Sequence, residues 1–204
     1  MQYTRLFFIF LYILLSGCSS SIYTEDTALP AHSIDSTSTS GSLTKYDLEN
    51  YKRALYAIKD KNYVYAINLL NNVSAKFPYL AGPLANLGII YYQQKKYELA
   101  LGYLKRALTL NPKNASVHNI IASVYQSLGD LKLTEKHLLK AINYKPDYAN
   151  AYYNLALLYD VYFQDIQKSL IYYKQYSKIL KAGGHTDKIT NDWVRQLQYS
   201  IKKG

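Results

Sequence analysis

The sequence predicts an all-α chain whose folded part is a solenoid of helical hairpins, and two observations carry that prediction. Pro78, Pro112 and Pro146 stand 34 residues apart, each closing an amphipathic segment. Inside each period, small and large apolar residues return in the same order, as they must where two antiparallel helices cross closely and nest.

The chain opens with Arg5 and the ten-residue apolar run Leu6 to Leu15, too short to span a bilayer and suited to a secretory signal. The tetrad Leu15-Ser16-Gly17-Cys18 that follows resembles the lipobox of bacterial lipoproteins. That resemblance implies that residues 1–17 are a leader, that Cys18 is lipidated, and that the chain contacts a membrane through its acyl chains. Each buried methylene adds about 0.8 kcal/mol, so several acyl chains anchor a protein essentially permanently. Ser19, not an aspartate, follows the cysteine, which in a two-membrane host resembles the outer-membrane sorting pattern. The chain has 1 cysteine, so disulfides are excluded and the exported domain is held by packing alone.

Residues 18–44 read as the lipidated cysteine and a Ser/Thr-rich tether, low in apolar residues and expected to be disordered. Its 26 residues after Cys18 reach ~30 Å by the square-root rule. Thr44 with Asp47 three residues on has the form of a capping box, which places the start of the folded array near residue 45.

The array, residues 45–183, divides into units 47–80, 81–114, 115–148 and 149–183. The second unit carries Leu84, Leu87, Gly88, Tyr91, Ala100, Leu104, Ala107 and Pro112 at internal positions 4, 7, 8, 11, 20, 24, 27 and 32. The third repeats the pattern as His118, Ile121, Ala122, Tyr125, Thr134, Leu138, Ala141 and Pro146. This resembles the tetratricopeptide repeat (TPR), with Gly129-Asp130 where that family turns from helix A to helix B. The first unit keeps Ala54, Ala57, Ala66, Leu70, Val73 and Pro78 in frame, but has Asn50 and Arg53 at positions usually apolar. The fourth opens with Tyr152, Leu155, Ala156 and Tyr159, and needs one inserted residue near Gln164 to bring Ser169, Tyr173 and Tyr176 into frame. Gly183-Gly184 closes its second helix. About three or more such pairs must stack to bury a continuous core, and roughly four are present.

Residues 184–204 read as a capping helix, N-capped by Thr186 or Asp187, whose stripe of Ile189, Trp193, Leu197 and Ile201 covers the last repeat while Lys188, Arg195, Lys202 and Lys203 face outward.

The TPR resemblance implies that helix A of each repeat lines a concave groove. On this sequence the groove residues are Tyr51, Lys52 and Leu55; Asn86, Ile89 and Tyr92; Asn119 and Ile120; and Tyr153, Asn154 and Leu157. Tyrosines and amides among aliphatics suit a bound peptide or amphipathic helix. The carboxylate clamp of the cytosolic chaperone-binding subgroup is not kept: of its groove residues only Asn86 matches. Most of the 24 tyrosines fall at framework positions.

Without Arg5 the chain has 23 basic against 14 acidic residues, and its excess basicity lies in the folded part. An exported lipoprotein does not meet nucleic acid, so the counterparts of that charge are anionic lipid, glycolipid or an acidic protein surface. The 4 histidines show no zinc-like spacing, and no nucleophile elbow or phosphate loop occurs, so no catalytic residue, metal or cofactor is expected. The reading is an adaptor facing the periplasm from the outer membrane. Its layout is similar to that of pilotin lipoproteins of pili and secretins. Scaffolding of peptidoglycan hydrolases and a basic module binding anionic lipid or glycolipid are the alternatives, and self-association is left open.

Overall fold

The computed structural model describes residues 44–203. The leader, the lipidation at Cys18 and the disordered tether expected before Thr44 lie outside the described residues. The described chain is entirely helical: α1 Lys45–Lys59, α2 Tyr63–Lys76, α3 Ala81–Gln93, α4 Tyr97–Leu110, α5 Ala115–Ser127, α6 Leu131–Tyr144, α7 Ala149–Leu157, α8 Ile166–Ala182 and α9 Lys188–Lys203, with a π-helical turn Leu158–Tyr162 continuing α7. Consecutive helices pair as hairpins and the hairpins stack, giving a TPR solenoid of four repeats and a ninth helix.

Local chemistry sets the helix starts. Thr44 and Asp47 form a capping box, and Asp47 also takes an ion pair from Lys76 Nζ at 2.8 Å, tying α1 to the end of α2. That bond and the one from Thr44 hold the Asp47 carboxyl below the ordinary carboxylate range. Asn62, Asp130 and Asp165 accept from the backbone amide three residues on and so start α2, α6 and α8. The turn before the second helix of each of the four repeats contains a residue with left-handed backbone: Lys61 at φ 57°, Lys95 at 59°, Gly129 at 81° and Gln164 at 54°. Only in the third repeat does glycine meet that demand without a Cβ penalty.

The core sits where the paired helices cross. Ala54, Ala122 and Ala156 at position 8, Ala66, Ala100, Thr134 and Ser169 at position 20, and Ala107 and Ala141 at position 27 are buried. Gly88 marks the tightest approach, because a Cβ there would lie 2.5 Å from Leu104 Cγ. The buried hydroxyls of Thr134 and Ser169 are satisfied by the carbonyls of Asp130 and Ile166.

The insertion expected near Gln164 is absorbed just before it. The left-handed turn residues are spaced 34, 34 and then 35 apart, and the extra residue of repeat four is taken up by the π turn. One residue beyond the α-helical register, accommodated as a wider turn, lets the chain resume the pattern at Ser169 and Tyr173, both buried.

After α8 the chain makes a Schellman turn: Gly184 adopts φ 77°, its amide reaches the Lys181 carbonyl, and the His185 amide reaches Leu180. Asp187, and not Thr186, caps α9 by accepting from the Thr190 amide and hydroxyl. The stripe expected on this helix is corrected in one member. Ile189 is 50% exposed, while Thr190 and Leu197 are buried, with Trp193, Val194 and Ile201 packed beside them. The contact face is turned by one residue, because Asp187 fixes the helix start so that Thr190 points inward. Trp193 meets Tyr173 edge to face at 6.1 Å, so the indole belongs to the contact between cap and array.

Candidate partner-binding face

The first helices of the four hairpins, α1, α3, α5 and α7, lie side by side and carry the residues expected to line the groove. The structure divides those residues in two. Tyr51, Asn86, Ile89, Asn119 and Ile120 are buried. Leu55, Tyr92, Tyr153, Asn154 and Leu157 are partly exposed, and Lys52 is exposed.

The expectation that all eleven present side chains to a partner is therefore corrected for the buried five. Position 5 of one repeat and position 6 of the next face each other across the seam between adjacent first helices. Tyr51 meets Asn86, whose Nδ2 donates to the phenol oxygen at 2.8 Å. Asn154 Nδ2 donates to Asn119 Oδ1 at 2.9 Å in the same register. At the seam between them, Ala85 and Ile120 hold these positions and both are buried. The polar–polar, apolar–apolar, polar–polar order makes the amides a device for joining repeats, since a buried amide without its partner would be costly. Burial pushes the Tyr51 phenol well above its ordinary range. Its ring end lies over Gly82, where a Cβ would come within 2.7 Å of the hydroxyl.

The remaining surface is a shallow mixed stripe. Tyr92 packs at 6.1 Å from the Tyr97 ring, and Tyr153 is braced by Tyr176 at 5.2 Å and Tyr173 at 6.1 Å, so these rings offer contact area already fixed in place. Between them, Gln93 Oε1 and Ser116 Oγ are buried atoms without a hydrogen-bond partner among the described residues. They occupy positions 13 and 2 of successive repeats.

The histidines are scattered along the sequence, yet the hairpin of repeat three brings two together. His118 Nδ1 lies 3.0 Å from His137 Nδ1, and His118 Nε2 lies 3.1 Å from the Pro112 carbonyl. The carbonyl accepts only, so His118 carries its proton on Nε2 and accepts at Nδ1 from His137 Nδ1–H. Burial, then the neighbouring His118 and the ammonium groups of Lys140, Lys136 and Lys105, pull His137 down to about 4. Burial likewise lowers His118. The rings of Tyr125 and Tyr144 pack against the pair. Position 4 facing the second helix was the signal available; the partner at 137 lies one residue off the repeat pattern. Among the described residues no group of three or more His, Cys, Asp or Glu is placed to hold a metal ion, and no described helix is long and apolar enough to cross a membrane.

Family models described as tetratricopeptide repeat match residues 83–114 and 115–148. The chain carries tetratricopeptide repeats. A stretch of 71 residues of this TPR chain is 34% identical to the Sol locus transcriptional repressor of Clostridium acetobutylicum, covering 35% of this chain and 22% of that protein. The chain thus spans less than a quarter of that relative. Pseudomonas aeruginosa PilF superposes with a TM-score of 0.67 at 16% identity, over 77% of this chain and 69% of PilF. The first TPR of Spaghetti (RPAP3), solved with an HSP90 peptide SRMEEVD, superposes with a TM-score of 0.53 at 18% identity, over 60% of this chain and 93% of that one. At these identities the structural likenesses establish the fold. TPR domains bind peptides or proteins, and that general role is the one this fold supports.

Proposed function

We propose that this TPR protein is a lipid-anchored adaptor that faces the periplasm from the outer membrane and holds a protein partner during envelope assembly, with pilus or secretin biogenesis the pathway that best suits its layout. The observation that carries the adaptor role is the stripe across α1, α3, α5 and α7, where braced, partly exposed tyrosines stand among partly exposed aliphatics. An extended or helical segment laid along it would bury its apolar side chains on Leu55, Tyr92, Tyr153 and Leu157. PilF, similar in fold over most of the chain, supports the pathway. The Cys18 acyl group would supply the membrane attachment. The protein works as a scaffold and performs no chemistry of its own.

Two measurements test this reading. The mature chain, immobilised and exposed to detergent-solubilised envelopes, is expected to retain a partner that the variant Leu55→Ser, Tyr92→Ser, Leu157→Ser loses while keeping its helical circular dichroism. Retention of the same partner by both would remove the stripe from the mechanism. Labelled palmitate fed to expressing cells is expected to enter the wild-type chain and not Cys18→Ser; no label in the wild type rules out the anchor.

A further inference from the structure

The open end of the solenoid carries a surface that later repeats hide. In α1, Tyr46 and Tyr56 are 71% and 68% exposed, with Glu49 and Arg53 between them. One to three periods later the places of Arg53 are taken by Leu87, Ile121 and Leu155 and those of Tyr56 by Ile90, Val124 and Leu158, all buried against the preceding repeat. Repeat one has no preceding repeat among the described residues. A cap need only be polar to stay soluble. This face instead holds two exposed tyrosines about 15 Å apart along the helix, on a stripe flanked by Lys45, Lys52 and Lys59.

We propose that this face of α1 rests on an anionic lipid surface. The inference builds on the lipid-anchor reading, because the tether enters the fold at Thr44, two residues before Tyr46, and Cys18 lies within ~30 Å of chain reach. Tyrosine suits the head-group layer, since its ring is apolar and its hydroxyl wet. Four cations, Lys45, Lys52, Arg53 and Lys59, oppose Glu49 and Asp60 on the exposed arc, because Asp47 is buried and paired with Lys76. The exposed Arg53–Glu49 pair at 3.8 Å is weak enough to exchange for a lipid phosphate. Each contact is modest alone, but a tether that keeps the domain beside the bilayer raises the effective concentration of the surface enough for modest contacts to hold. With α1 lying flat on the head groups, the later repeats stack outward from the membrane and their partner-binding stripe stays accessible.

Reconstitution of the full acylated chain into phosphatidylglycerol vesicles containing brominated lipid tests this. The native chain has 1 tryptophan, Trp193, in the cap against α8, and Tyr56→Trp adds a second on the proposed face. The proposal expects brominated lipid to quench at least about half of the added emission while leaving the native signal unchanged. It also expects the quenching to fall severalfold in phosphatidylcholine or when Lys45 and Arg53 are changed to glutamate. Equal, negligible quenching in both chains overturns it. Co-flotation of the acylated chain and of Cys18→Ser reads the anchor separately: a Cys18→Ser chain that floats and is quenched as well as the acylated one sinks the anchor and sustains the docking face, and an acylated chain that floats unquenched does the reverse. A chain that neither floats nor is quenched sinks both.

Discussion

In repeat two, α3 and α4 cross with no side chain at position 8, and Leu104 fills the space that a Cβ on Gly88 would occupy. In repeat four the same crossing has Ala156 at position 8, and rings where repeat two has Leu104 and Ala107. Tyr173 is buried against Trp193 of the cap, and the Tyr176 hydroxyl donates to Asp187, the residue that starts α9. The first crossing leaves no room for a methyl group and packs the next repeat with aliphatic side chains, while the second uses its rings to dock the cap helix. Repeat four also holds one more residue, stored in a π turn. The difference shows that the period fixes where helices cross, while side-chain volume at two or three positions decides how tightly, and what else the hairpin can hold.

The comparison breaks most visibly by deletion. Removing Ile89 from the middle of α3 rotates everything after it by about a quarter turn and is expected to abolish cooperative unfolding of the array. Removing Val161 restores the 34-residue spacing in repeat four and is expected to leave a cooperative transition with a much smaller loss, because the π turn reverts to α geometry. Urea unfolding followed by circular dichroism separates the two; equal damage would mean that the π turn is required for packing.

Side-chain volume should be the next largest effect. Gly88→Leu is expected to cost about 3 kcal/mol or more by overpacking Leu104. Gly88→Ala combined with Leu104→Ala should destabilise by less than the sum of the two single changes, since the new methyl enters the space vacated. Additive losses in that cycle would deny the contact. Asn86→Ala leaves the Tyr51 hydroxyl buried without its donor and is expected to lose about 1–3 kcal/mol, with Tyr51→Phe in the same background restoring part of it.

Repeat three supplies a histidine titration that its neighbours lack. His118 and His137 titrate below their ordinary value in the fold, so the unfolded chain binds more protons than the folded chain at intermediate pH. Their contribution is complete above about pH 6.5 and is lost as pH falls from there towards 4. The urea midpoint should therefore drop between pH 7.5 and 5, and His137→Gln should flatten that drop; an unchanged slope would show that the pair stays neutral for no energetic reason. The smallest expected effect is at the turns. Lys95→Gly should stabilise by about 0.5–1 kcal/mol by relieving its left-handed backbone, whereas Gly129→Ala should destabilise by about 1 kcal/mol.

The period, the small residues at crossings, the capping box at Thr44 and the extra residue before Gln164 were all legible, because each is a relation between residues on one helix or one hairpin. The partner-binding face was legible only as a row of helices. Nothing in the local pattern says that Tyr51 and Asn86, a full repeat apart, would satisfy one another and leave the surface. His137 was missed for the same reason: its importance arises from His118 on the facing helix. Ile189 was misplaced because a helical stripe read by spacing alone can be turned by one residue, and the rotation depends on the cap that Asp187 provides.

The amino-acid order by itself determined that this chain would be a stack of hairpins, how many, where each turns, and where one of them must widen. Those outcomes follow from backbone geometry and from volume repeated at a fixed interval. Only the tertiary structure decided which tyrosines and amides are exposed, that two histidines share a proton-poor site, and that no described residue covers the end face of α1. Each of these depends on what a neighbouring repeat places, or fails to place, within a few ångströms.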